Sequence, residues 1–173
     1  MNTTRVRFFL FVVLGLIMAV LPPMISCTES KPPDRGKSFP EAMAPDFKLK
    51  DLSDQSFKLS THRGKPVLLI FITTWCPTCR SEMPHYKSIY ETYGQRGLEV
   101  VNIDIQEPKN RVSQFAAKYQ IPYKTLLDEN GDIAGSYGIV GIPAMVLIDK
   151  DGKIVSRQYP AIDILLETLL GKK

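Results

Sequence analysis

The sequence predicts a single α/β domain, a central β-sheet flanked by helices and entered through a β-hairpin. Three observations carry this. Residues 67–73 are a continuous apolar run of strand length, as expected of a strand buried on both faces, and 98–105 reads as a second buried strand. Segments of helical length, 76–93 and 111–119, follow each of them. Turn signals such as Gly64-Lys65-Pro66 and Lys150-Asp151-Gly152 punctuate the boundaries. Strands alternating with helices imply βαβ units, hence a largely parallel sheet closed by an antiparallel hairpin.

The elements follow in order. Phe47, Leu49 and Leu52, then Phe57 and Leu59, alternate with polar residues on either side of Ser53-Asp54-Gln55, which predicts a hairpin. The strand at 67–73 leads into a helix over 76–93, ended by Gly94. A second buried strand spans 98–105 and a second helix 111–119. A short strand at 123–127 and a short helix at 133–137 come next. A strand at 144–149 turns into another at 153–159, and 162–170 closes the chain as an amphipathic helix. Tyr86, Tyr90 and Tyr93 fall at helical spacing and are expected to pack. Asp104 and Asp128 end strands, where they would cap or turn.

A chain of 173 residues with 44% hydrophobic and 23% charged residues is that of one folded domain, not a disordered one. The net charge is +4, from 22 Lys+Arg against 18 Asp+Glu. Arg5 and Arg7 are the only charges in residues 1–26, so the rest of the chain carries +2, too little for a nucleic-acid surface.

Those two arginines precede an unbroken apolar stretch, 8–21. At ~1.5 Å per residue it spans roughly 21 Å, short of the ~30 Å of bilayer hydrocarbon. The pattern is an export signal, and Met24-Ile25-Ser26-Cys27 resembles a bacterial lipobox, with Cys27 the lipidated residue. Lipoprotein, uncleaved anchor and cleaved secretion stay open at this point, and all three put the body outside the cytoplasm. Residues 28–43 are polar and proline-rich without a period, a tether between leader (1–27) and domain (44–173).

With Cys27 set aside, Cys76 and Cys79 remain, in Trp75-Cys76-Pro77-Thr78-Cys79-Arg80. Two cysteines three apart, where a buried strand gives way to a helix, read as a redox pair. At the helix start, unpaired N–H groups and the dipole favour a Cys76 thiolate. Cys79, one turn in, is the sheltered partner, so Cys76 is the expected attacker and Cys79 the resolver of a mixed disulfide. Pro77 has no N–H to leave unsatisfied there. A zinc site would need two further ligands, and only His62 and His85 exist, without a second Cys pair. No metal and no cofactor is expected, and the two histidines are read as solvated polar residues.

From Ala44 to Leu170 the chain resembles the membrane-tethered TlpA/ResA/CcmG type of thiol–disulfide oxidoreductase, which has the thioredoxin fold. The resemblance rests on Ala44-Pro45-Asp46-Phe47, Thr74-Trp75-Cys76-Pro77-Thr78-Cys79, Glu82, Pro84, and Gly141-Ile142-Pro143 followed by Val146-Leu147-Ile148-Asp149. It implies a mixed central sheet and a reductant on the outer, periplasmic side of a bacterial membrane. It also implies a membrane thiol transporter as electron donor, and exported disulfides such as those of apocytochrome c as substrate.

The resemblance further implies an acid near the cysteines at Glu82, three residues past Cys79. A carboxyl in an apolar site can exchange a proton with the resolving thiol; an ordinary solvated helix glutamate is the plain alternative. Ordinary thioredoxins carry their buried acid on the preceding strand, where this chain has Ile70. The resemblance makes Pro143 cis and turns it toward the cysteines, with Ile142 offering backbone groups to an extended substrate segment. Ala144 departs from the threonine frequent in the family after that proline. Trp75, Pro77 and Thr78 would flank the same surface, Trp75 shielding Cys76. Pro84 would kink the helix.

Rival readings fail on particular residues. A peroxiredoxin needs a proline where Leu69 stands, seven before Cys76. A Sco-type copper chaperone needs a wider cysteine spacing and a later histidine, and none follows His85. A non-catalytic docking module would have no need of both cysteines.

Overall fold

The computed structural model describes residues 42–157 and 162–170. The expected leader with Cys27, the tether up to residue 41, and residues 158–159 of the last expected strand lie outside these. Seven strands form one sheet in the order β2-β1-β5-β4-β3-β6-β7. They are β1 (Lys48–Asp51), β2 (Ser56–Lys58), β3 (Val67–Ile72), β4 (Glu99–Ile105), β5 (Lys124–Asp128), β6 (Ala144–Ile148) and β7 (Ile154–Ser156). The helices are α1 (Pro77–Ser81), α2 (Met83–Tyr93), α3 (Lys109–Tyr119), α4 (Asp132–Ser136) and α5 (Ile162–Leu170).

All six residues of β3 are buried, because the sheet is covered on both faces. Leu68, Ile70 and Ile72 face one cluster with Cys79, Met83, Tyr86, Ile162 and Leu166. Leu69 and Phe71 face the other, with Phe47, Phe57, Ala134 and Tyr137. Tyr86 and Tyr93 are buried in the first cluster and Tyr90 packs against it, as their spacing predicts.

The sheet is less parallel than strand–helix alternation predicts. Only β3–β4 and β4–β5 pair parallel; β1–β2, β1–β5, β3–β6 and β6–β7 are antiparallel. The reason lies after β5. The five residues of α4 advance only about 7.5 Å, whereas five strand residues rise roughly 16 Å. No helix of strand length lies between β5 and β6 among the described residues, and β6 enters from the end β5 left and runs antiparallel to β3.

The helix expected over 76–93 is two helices meeting at Glu82 (φ −86°, ψ −8°). Pro84, the second residue of α2, has no N–H for the carbonyl of Arg80, so the ladder breaks there. The second half, α2, ends at Tyr93 with Gly94 as the C-cap, as expected, and a 3-10 turn then runs through Arg96 to Gly97 at φ +98°. Asp128 caps as expected, its carboxylate accepting the N–H groups of Ile133 (3.2 Å) and Ala134 (2.8 Å). Asp104 does neither; it is buried within β4 at 1% exposure. At the other edge Ala44 N–H donates to Gly152 O and Met43 pairs with Lys153. His62 stacks on Phe57, ring centroids 4.3 Å apart.

Candidate active site

The β3 strand delivers the chain to Cys76 and Cys79. Beyond Ile72, Thr73 and Thr74 lead to Trp75, which is 62% exposed, and then to Cys76, which caps α1. The Cys79 N–H donates to Cys76 Sγ at 3.1 Å, so one donor left over by the helix start is turned onto the first sulfur. Pro77 occupies the first helical position, as its missing N–H suits.

Both cysteines are free thiols with unlike surroundings. Cys76 keeps 5% exposure between the exposed Trp75, Pro77 and Thr78, while Cys79 is fully covered. Burial pushes the Cys79 thiol up to about 12, helped by the hydrogen bond and charge of Cys76. The pair is therefore polarised, one thiol held as acceptor beside the exposed Trp75, Pro77 and Thr78 and one kept protonated in full burial.

The Ile142-Pro143 peptide is cis, and both residues are half-buried. The β3–β6 pairing ends at Phe71↔Ala144, so Pro143 directly precedes the last paired residue of β6 at the end of the sheet where β3 leads to the cysteines. Ile142 packs against the cluster that holds both cysteines. Beside it lies a groove of about 530 Å³ whose apolar walls are Trp75, Ile105, Ile139, Val140 and Ile142. The structure thus brings Trp75, Cys76, Cys79, Ile142 and Pro143 to one end of the sheet. Glu82 lies at the α1–α2 junction, half-buried, its carbonyl accepting Tyr86 N–H. No group of three candidate metal ligands occurs among the described residues.

Two acids here were not expected at the site, Glu107 passed over and Asp104 read as a cap or turn residue. Glu107 is buried, its carboxylate accepting both the backbone N–H and, at 2.7 Å, the hydroxyl of Thr74. Arg111, one turn on, reaches the same carboxylate at 3.4 Å. Asp104 pairs with Ile72 in the β3–β4 register and shares the sheet face of the cysteine cluster. No group donates a hydrogen bond to it among the described residues. Burial, then the charge of Glu107 and a side-chain hydrogen bond with it, push its carboxyl up to about 8. A signal existed: an acid inside a run expected to be buried on both faces has to be buried.

The sequence profile of the AhpC/TSA family matches residues 40–157. The chain belongs to the AhpC/TSA family. This AhpC/TSA protein is 37% identical over 111 residues to the thiol-disulfide oxidoreductase ResA of Geobacillus thermodenitrificans, the match covering 64% of each chain. It is 34% identical over 122 residues to ResA of Halalkalibacterium halodurans, covering 70% of this chain and 69% of that one. Among solved structures, a thiol:disulfide interchange protein from Bacteroides sp. superposes with TM-score 0.69 at 27% identity, covering 77% and 91% of the two chains. A secreted Mycobacterium tuberculosis disulfide oxidoreductase gives TM-score 0.61 at 26% identity, covering 71% and 93%. The fold is thioredoxin-like, a mixed sheet between helices.

Proposed function

We propose that this AhpC/TSA protein is a thiol–disulfide oxidoreductase that reduces disulfides of exported client proteins through Cys76 and Cys79. The observation that carries the reading is the polarised pair, Cys76 accepting the Cys79 N–H while Cys79 stays buried and protonated. The ResA relatives and the disulfide oxidoreductase neighbours support it.

The Cys76 thiolate attacks one sulfur of the client disulfide, and the other sulfur leaves as a thiolate that takes up a proton. In the mixed disulfide Cys76 has neither its charge nor its full acceptor strength, so two of the causes that raise Cys79 are gone. Cys79 then loses its proton and attacks Cys76 Sγ, releasing the client as a thiol and leaving a Cys76–Cys79 disulfide. Two electrons have passed to the client, and a thiol donor must restore the pair. Glu82, three residues past Cys79, is the group we assign to receive the Cys79 proton. The backbone at Ile142-Pro143, with Trp75, Pro77 and Thr78, forms the surface for an extended client segment.

The remaining assignments follow the export signal of residues 1–27. The body works on the periplasmic side of a bacterial membrane, tethered through Cys27 lipid or residues 8–21, with a membrane thiol transporter as donor. Clients of the apocytochrome c kind suit a ResA-like reductant.

The test is reduction of insulin disulfides by the full chain. Cys76→Ser abolishes it, and Cys79→Ser accumulates a mixed disulfide that a reductant releases. A Cys76→Ser variant as active as the parent contradicts the proposal.

A further inference from the structure

The mechanism leaves unused two buried acids behind the cysteine loop. Their surroundings divide them. Glu107 receives the N–H and hydroxyl of Thr74 and lies against Arg111, so it has donors suited to a carboxylate. Asp104, on the strand that leads to it, is 1% exposed and receives no hydrogen bond among the described residues. Two neighbouring carboxyls in a buried site do not both ionise readily, and burial without donors favours the proton on Asp104.

Thr74 stands two residues before Cys76, and the chain between β3 and α1 has few other ties. Cys76 N–H donates to Thr73 O at a long 3.4 Å, and Trp75 O accepts from the exposed Arg80 at 3.3 Å. The carboxylate of Glu107 is thus the strongest described attachment of that loop to the sheet.

We propose that Glu107 is a positioning residue for thiol–disulfide exchange, anchoring the Thr74–Cys76 loop, and that Asp104 beside it, while protonated, sets no second charge against that anchor. The inference rests on the reading of Cys76 as the attacking thiol. Ionisation of Asp104 places a second negative charge against the anchor and loosens the loop. The titratable and charged groups near Asp104 are Glu107 from the β4–α3 turn, Arg111 from α3 through Glu107, and the thiols of Cys76 and Cys79 in the cluster with Ile72. Thr73 and Thr74 from the end of β3 are neutral.

Trp75, the single tryptophan, sits inside the anchored loop and reports on it. In the full chain carrying Cys76→Ala and Cys79→Ala, no active-site thiol titrates. Its Trp75 fluorescence, excited where tyrosine does not absorb, should pass through a transition between pH 7 and 9, the range set by Asp104. Adding Asp104→Asn should abolish that transition, and adding Glu107→Gln should move it to lower pH. In the parent with both cysteines, Glu107→Ala should slow insulin reduction at pH 7 by about tenfold or more, the scale of a misplaced reacting group. Glu107→Gln, which can still accept the Thr74 N–H, should recover most of that rate. A transition that survives Asp104→Asn, or no transition at all, overturns the role of Asp104. A Glu107→Ala enzyme at the parent rate overturns the anchor. A parent that reduces nothing defeats the proposed function instead, and the fluorescence titration still decides whether the two acids govern the loop.

Discussion

At pH 7 a thiol with pKa about 12, as at Cys79, is ionised in about one molecule in 100,000. An unperturbed cysteine of pKa ~8.5 is ionised to about 3%. The thiolate deficit is thus roughly 3,000-fold, and the greater nucleophilicity of the more basic sulfur returns a factor of about 40 at a Brønsted slope of 0.4–0.5. Cys79 should therefore be alkylated about 100-fold more slowly than free cysteine, before counting its complete burial. The assay is timed alkylation of the fully reduced chain with a small neutral reagent, quenched and mapped by mass. Cys76 should be modified first. Removing the Cys76 thiol and its charge by Cys76→Ser should quicken Cys79 without bringing it to the free-cysteine rate, because burial is the largest cause of its shift. Equal rates at Cys76 and Cys79 in the parent would refute the polarised pair, and with it the order of attack and resolution.

Asp104 gives a pH dependence of opposite sense to the usual carboxylate. Its folded pKa of about 8 lies above the unfolded value near 3.8, so the native state binds the extra proton between those limits and stability falls as pH rises through them. The loss from this group is on the order of a few kcal/mol by pH 7; urea unfolding across pH 4–8 should show it, and Asp104→Asn should flatten it. Phe71→Ala removes a fully buried ring 5.7 Å from that of Tyr137 and should cost about 3–5 kcal/mol in the same assay; a loss under about 1 kcal/mol would contradict the two-sided core. Glu82→Gln should alter the pH profile of insulin reduction while leaving Cys76 alkylation unchanged; an unaltered profile would remove Glu82 from the proton path.

Legibility in the sequence followed how local the cause was. β3 was legible because six consecutive apolar residues admit one explanation, burial on both faces. The cysteine pair was legible because spacing and the strand–helix switch coincide at Cys76. Strand direction was not, since the antiparallel entry of β6 is settled by its pairing with β3, a property of the assembled sheet. The break at Glu82 shows a single cause, the missing N–H of Pro84, dividing a helix that periodicity alone would have continued. Glu107 was hidden differently: its partner Thr74 lies 33 residues away and meets it only through the parallel pairing of β3 and β4. Asp104 needed one more step of reasoning, that an acid within a doubly buried strand cannot be a surface cap.

The most direct test of the central claim is the redox equilibrium of the full chain against glutathione, read by alkylation and mass. Thioredoxin-fold pairs span roughly −270 to −120 mV with the same two cysteines, so the potential decides the direction that spacing leaves open. The account predicts one reversible Cys76–Cys79 disulfide with a potential near or below roughly −220 mV, that of a reductant. A potential near roughly −120 mV would mark an oxidant and contradict the reductive reading; no reversible disulfide between Cys76 and Cys79 would contradict the exchange mechanism itself.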